Sequence, residues 1–286
     1  MKEILDVIEK NGLRVYAVTV IRQGQKETVY PRDYELNSLV ATVRNIFSVS
    51  KSFTMLGVGF CYDDGLLTPD TTIGDVFGTL PEGADPLWGD ITVDNLLRHE
   101  TGCLTGNDLD CENLRAYTDG DWLDYILYKK IEEEPGRIER YSDNNFFLLS
   151  CMITKLTGKS LADLMRERFF NPAKFREAAW SSDPKGRSLG GTALYISTDD
   201  MAKLGQLWIQ DGLWDGKRLI SKEWVRLALE RRYTFSRRSR TKQTYGKGGM
   251  LGQMLMFSYA DQTVLAVESY AHDVEAIVNT VFPEKD

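Results

Sequence analysis

The chain has 286 residues, of which 42% are hydrophobic and 27% charged, an ordinary soluble composition that excludes disordered and fibrous classes. A net charge of −7 argues against a nucleic-acid partner. The four cysteines, Cys61, Cys103, Cys111 and Cys151, have no CxxC or metal spacing, and the two histidines, His99 and His272, lie far apart, so neither a metal nor a cofactor is expected.

At the amino terminus, "MKEILDVIEKNGLRVYAV" carries acidic residues where a secretion signal would be apolar, and no stretch reaches the length of a membrane span. A cytoplasmic protein with reduced thiols is the expectation. Lys2 to Lys10 reads as an amphipathic helix, and "RVYAVTVIRQGQKETVY" alternates with period two on either side of Gly24, a hairpin.

The middle of the chain is mostly helical. "ITVDNLLRH" reads as a helix capped near Thr92, "DGDWLDYILYKK" as another, and "NNFFLLSCMITKLTG" as an apolar helix closed by Gly158. "SLADLMRERFF" opens at Ser160. "STDDMAKLGQLWIQDG" is capped at Ser197 or Thr198 and stopped by Gly212, and "SKEWVRLALE" follows the same grammar. The basic run "RRYTFSRRSRTK", Arg231 to Lys242, reads as a solvated, mobile loop. Recognition of an anionic substrate is a second reading of it.

The carboxyl-terminal part returns to strands. "GQMLMFSYADQTVLAVESYA" is a hairpin turning at Ala260 to Gln262, and "HDVEAIVNTVF" has helical spacing. The expected architecture is α+β: an antiparallel sheet built from both chain ends and flanked by helices, with an inserted helical region. One domain covers 1–286, with an α/β region at about 1–47 plus 176–286 and the insertion at about 48–175.

Within the insertion, "IFSVSKSFTMLGVGF" puts Ser48 and Lys51 one turn apart at the start of an apolar helix. A serine needs a base to become nucleophilic, and a lysine on the same helical face can supply one. The helix amino terminus also offers backbone N–H groups to a developing oxyanion. Of three SxxK matches in the chain, Ser182/Lys185 has Pro184 before the lysine and Ser239/Lys242 lies in the basic run. On spacing alone, a capping serine and a snorkelling lysine explain Ser48 and Lys51 equally well. "RYSDNNFFLLS" adds Tyr141, Ser142 and Asp143 in a loop before an apolar helix. "TYGKGGMLGQ" adds Lys247 at the start of a strand, with Gly248 and Gly249 allowing close approach of a substrate. A phenol near ammonium groups can relay protons to a leaving group. His99, at a helix end, is expected to be structural and to bond a backbone carbonyl. Trp122, Trp180, Trp208, Trp214 and Trp224 are expected to pack in the core or at its rim.

At these residues the sequence resembles the serine β-lactamase and penicillin-binding protein superfamily, in the branch of class C β-lactamases, D-aminopeptidases and carboxylesterases. The resemblance runs through "FSVSKSFTMLGVGFCYDDGLL", "ITVDNLLRHETG", "YSDNNFFLLSCMITKLTGKSL", "GGTALYISTDDMAKLGQLWIQ" and "GKGGMLGQ", which is nearly the whole chain. It implies a β-lactamase/transpeptidase-like fold and acyl transfer from a small ester, amide or D-peptide-like substrate to water. Ser48 would be the nucleophile, Lys51 its activating partner and Tyr141 the proton shuttle or general base. Asp143, Lys247, Gly249 and Met250 would contact substrate, with the N–H groups of Ser48 and Met250 as oxyanion hole. Asp143 stands where the family often has Asn, and Gly248 where it has Thr or Ser, which counts against strong β-lactamase activity. A non-catalytic ligand-binding or sensor relative is the alternative. The sequence is silent on oligomeric state.

Overall fold

The computed structural model describes residues 1–31, 43–104, 120–271 and 273–283. Cys111 and His272 lie outside them. Strands β1 (Val15–Arg22), β2 (Gln25–Val29), β8 (Ser236–Ser239), β9 (Thr244–Gly249), β10 (Gln253–Ser258) and β11 (Thr263–Ser269) form one antiparallel sheet in the order β2-β1-β11-β10-β9-β8. The two expected hairpins are therefore neighbours: Val18 of β1 faces Val267 of β11, which joins the chain ends.

Helices α1 (Lys2–Lys10) and α10 (Glu275–Val281) cover one face of this sheet. Ile4 and Ile8 of α1 and Ile277 and Val278 of α10 pack on Val18, Val20, Leu265 and Val267. Helix α8 (Thr198–Ile209) lies on the other face, where the larger core begins. That core runs through α2 (Ser50–Asp63) and α6 (Asp143–Thr157), both buried along most of their length and apolar all round because other elements enclose them. Strands β3 (Arg44–Asn45), β4 (Ala179–Trp180) and β5 (Leu194–Ile196) make a second small sheet, β3-β5-β4, which holds the chain just before Ser48.

Local signals placed the helix ends well. Thr92 closes a capping box with Asn95 on α4 (Val93–Arg98), Ser142 caps α6, Ser160 caps α7 (Leu161–Met165), Ser197 caps α8 and Ser221 caps α9 (Lys222–Glu230). Gly158 ends α6 in the left-handed conformation. Three expectations shift. Helix α8 ends at Ile209, ahead of Gly212. The helix after Ser160 gives way after one turn to a π-helical turn over Arg166–Phe170. The basic run is not a solvated loop: Tyr233, Thr234 and Phe235 are buried and β8 pairs with β9. Arg231 reaches Asp94, and Arg238 bonds Glu275, Asn279 and the Phe282 carbonyl. Pairing along a sheet edge and burial of the intervening aromatics outweigh the local charge density. Trp122, Trp208 and Trp224 are buried, as is Trp88, while Trp180 and Trp214 pack partly buried at the rim.

Glu268 on β11 is fully buried, and neither carboxylate oxygen has a hydrogen-bond partner. Burial raises its pKa well above the usual range; Arg44 opposes the rise, and Asp200 and Asp199 add to it. A carboxyl with a raised folded-state pKa stabilises the fold fully only below its unfolded value. The folded chain holds a proton that the unfolded chain gives up, so stability is lost as pH rises toward the folded pKa. Glu268→Gln, which cannot ionise, is expected to raise Tm increasingly from pH 5 to pH 8. Parallel melting curves for the two proteins across that range would refute it.

Candidate active site

Ser48 sits in a 3-10 turn, Phe47–Val49, ahead of α2 rather than as its first residue. Phe47 holds φ at 46°, a left-handed value costly for an aromatic residue. Asn45 offsets that cost: its Oδ1 accepts from the Phe47 N–H at 2.8 Å and from the Ala193 N–H at 3.2 Å. The turn holding Ser48 is thereby tied to the small sheet.

Lys51, in the first turn of α2, is fully buried. Its Nζ donates to Ser48 Oγ at 3.4 Å, to the Gly191 carbonyl at 2.9 Å and, in a short ion pair, to the Asp143 carboxylate. Three donations use all three protons of an ammonium group. Asp143 is the first residue of α6, not part of the preceding loop, and is only 5% exposed. The lysine charge and the carboxylate charge therefore meet in a dry site, where separating them is costly.

Tyr141 is 46% exposed and faces the same space. Lys51 Nζ lies 4.6 Å and Lys247 Nζ 5.0 Å from its ring centroid. The ring also rests on His99 at 4.6 Å. His99 occupies the left-handed C-cap of α4. Its carbonyl accepts from the Arg140 N–H at 2.7 Å and its Nδ1 from the Ser142 N–H at 3.2 Å. It thus takes a backbone proton where a bond to a carbonyl was expected. Burial, then Lys51 and Lys247, lower its pKa to about 3, so it stays neutral and cannot add a third positive charge.

Lys247 is the fourth residue of β9, not its first. Burial and then Lys51 lower its pKa to about 8, against smaller raising effects from Asp143 and Glu139. At Gly249, the last residue of β9, a Cβ would come within 2.6 Å of the Ile46 carbonyl and 3.3 Å of the Ser48 nitrogen. The bare backbone is what lets β9 pass this close to Ser48. Met250 follows, 41% exposed. Gly248 pairs with Met254, and a Cβ there would meet only ordinary contacts, the nearest at 3.5 Å.

The structure brings Ser48, Lys51, Tyr141, Asp143, Lys247 and Gly249 together, with Met250 next in the chain. Sequence reasoning missed Asn45, the part His99 plays in holding the Tyr141–Ser142 turn, and the pair Gly190-Gly191. Gly190 has φ at 68°, and a Cβ would lie 2.2 Å from the Phe146 carbonyl; at Gly191 one would lie 2.9 Å from the Asp143 Cβ. This pair packs on the first turn of α6 and presents the carbonyl that Lys51 uses. A "GG" dipeptide between two helical patterns was the available signal. Among the described residues, no cluster of three metal-ligating side chains occurs and no helix is long and apolar enough to cross a membrane.

The Beta-lactamase family model matches residues 8–269 of this chain. The chain belongs to this family. It is 24% identical over 159 residues to Penicillin-binding protein 4* of Bacillus subtilis, covering 54% of this chain and 33% of that one. The chain spans 53% or less of the length of the two curated relatives compared. It superposes with a TM-score of 0.79 on a candidate 6-aminohexanoate-dimer hydrolase from Bacillus anthracis, 17% identical, over 97% of this chain and 79% of that one. The TM-score is 0.71 for a class C β-lactamase from Rhodobacter sphaeroides, 15% identical, over 98% and 96%. The fold is that of β-lactamases and transpeptidases, an α+β sandwich around an antiparallel sheet.

Proposed function

We propose that the protein is a serine hydrolase that forms an acyl ester on Ser48 and favours small neutral esters or amides over β-lactams. The observation that carries this reading is the contact between Ser48 Oγ and the buried Lys51 Nζ, beside a phenol ring flanked by a second lysine. With its three protons engaged, Lys51 acts as a fixed positive charge that orients Ser48. Tyr141 is then the relay: its hydroxyl gives its own proton to the leaving group as it takes the serine proton in exchange. Negative charge developing on its oxygen during transfer is offset by Lys51 and Lys247. The N–H groups of Ser48 and Met250, brought near each other by Gly249, would hold the oxyanion. Asp143 holds Lys51 in place rather than meeting substrate directly. The amide-hydrolase and β-lactamase names of the structural neighbours agree with acyl transfer in general.

Preference for neutral substrates follows from what position 248 lacks. Gly248 has no hydroxyl for a substrate carboxylate, and one charge-assisted hydrogen bond is worth roughly 1.5–3 kcal/mol, or about ten- to more than a hundredfold in kcat/KM. p-Nitrophenyl butyrate is therefore expected to be hydrolysed with a higher kcat/KM than benzylpenicillin or nitrocefin. Efficient penicillin turnover would reject this preference, and no turnover of any of them would favour a ligand-binding protein.

A pH dependence follows from Lys247. The ammonium form is the one that offsets charge on Tyr141, and it is lost as pH rises through about 8. Ester kcat/KM is expected to fall on that limb, and Lys247→Arg, which keeps its proton, should remove the limb. A profile for Lys247→Arg that still falls near pH 8 would assign the limb to another group.

A further inference from the structure

The β8 edge of the main sheet carries a second concentration of charge. A cavity of about 530 Å³ there is lined by Arg232, Arg237, Arg238, Arg240 and Thr241, and among the described residues no carboxylate lines it. A cavity of about 430 Å³ shares Arg232 and Arg237 and extends to Arg226 and Gln243, with Asp211 and Glu230 in its wall. Asp211 is already paired with Lys222 at 2.5 Å.

These guanidinium groups are not spent on internal bonds in equal measure. Arg238 is anchored to α10 through Glu275, Asn279 and the Phe282 carbonyl, which fixes one wall. The Arg232 and Arg237 side chains make no hydrogen bond or ion pair among the described residues, and both are exposed. Arg232 also sits at φ 55°, just past the end of α9, in a conformation that glycine usually supplies. Placing an arginine there is unfavourable, yet it aims a third cation at the groove.

Charges on an edge strand discourage pairing with other chains, which explains one or two arginines on β8. It does not explain convergence on one concave space from α9, β8 and the turn after it, in a chain whose net charge is −7. We infer that the Arg232–Arg237–Arg240 groove binds a phosphoryl-rich anion, with Arg238 as its fixed wall. A single carboxylate would answer only one of the two unpaired guanidinium groups, Arg232 and Arg237, whereas a di- or triphosphate can answer both and suits the planar fork of arginine. The phosphates can belong to a free polyphosphate or to the tail of a nucleotide. This inference does not depend on the proposed hydrolase activity.

The test is calorimetric titration of sodium tripolyphosphate and, separately, ATP without magnesium, into the protein at a constant ionic strength of 0.15 M set with NaCl. Both are expected to bind at the groove. Equal affinity assigns a free anion, tighter ATP assigns a nucleotide, and both outcomes support the groove. The double variant R232Q/R237Q is expected to weaken binding at least tenfold with ester hydrolysis unchanged, since both side chains are exposed and neither bonds Ser48, Lys51, Tyr141 or Lys247. Its ligand-free melting curve checks that it folds. No measurable heat with either ligand, or equal affinity in the folded double variant, overturns the inference.

Discussion

Replacing Ser48 by alanine is expected to abolish covalent labelling by a fluorophosphonate and to lower ester turnover by at least about 10⁴-fold, the scale set by removing the nucleophile of other serine hydrolases. The argument is one of position. Ser48 Oγ is the serine oxygen in contact with Lys51 Nζ, while Ser50, two residues on, is fully buried and accepts from the Leu194 N–H at 3.2 Å. Ser142 is committed to capping α6. Ser182 lies in an isolated bridge with Ser188, with Pro184 between it and Lys185. Intact-mass spectra of the parent protein, Ser48→Ala, Ser50→Ala and Ser182→Ala after the same incubation decide the matter. An adduct that persists on the Ser48→Ala protein would remove the acyl-enzyme reading altogether.

The second large effect is expected at Tyr141. Tyr141→Phe keeps the ring that lies between Lys51 and Lys247 and rests on His99, and deletes only the hydroxyl. Half of the side chain is exposed, so folding should be untouched. Turnover is expected to fall by roughly two to four orders of magnitude, the usual contribution of a positioned acid–base group. Near-normal turnover would return the base role to Lys51. The corresponding Lys51→Ala variant is a poorer probe, because it leaves Asp143 as a buried carboxylate without its ion pair. Breaking one half of such a pair costs about 3–5 kcal/mol. Loss of activity there would mix chemistry with unfolding, and a melting curve beside the kinetics separates the two.

His99 links these residues to the fold. Its neutral ring accepts the Ser142 N–H and carries the Tyr141 ring, so the turn that presents the phenol is set by a side chain more than forty residues earlier in the chain. A protonated histidine could not accept that bond and would repel both lysines. Its pKa of about 3 keeps the ring neutral, and the bond that holds the Tyr141 turn in place, at any pH well above that value.

Much of this was written locally. Helix starts at Thr92, Ser160, Ser197 and Ser221 followed from side chains that accept the first free backbone N–H groups, an interaction spanning two or three residues. Period-two alternation gave both hairpins, because strand geometry alone sets that period. The placing of Ser48 and Lys51 one turn apart is likewise a property of a few consecutive residues, as is the order of the polar motifs.

Tertiary structure decided what those residues meet. The Lys51 partners Asp143 and Gly191 lie 92 and 140 positions along the chain, and no periodicity reports on such distances. Spacing made Lys51 equally readable as a snorkelling surface lysine. Enclosure of α2 by α6 and the Gly190-Gly191 turn buries it instead, and a buried ammonium requires the carboxylate that position 143 supplies. The same reason governs the basic run. Its composition reads as solvent-facing, but β9 leaves an unpaired edge that β8 completes, and backbone pairing with burial of Phe235 overrides the charge of its neighbours. Short-range hydrogen bonding thus set where the elements begin, while burial and sheet closure, which act between distant segments, set which side chains share the site.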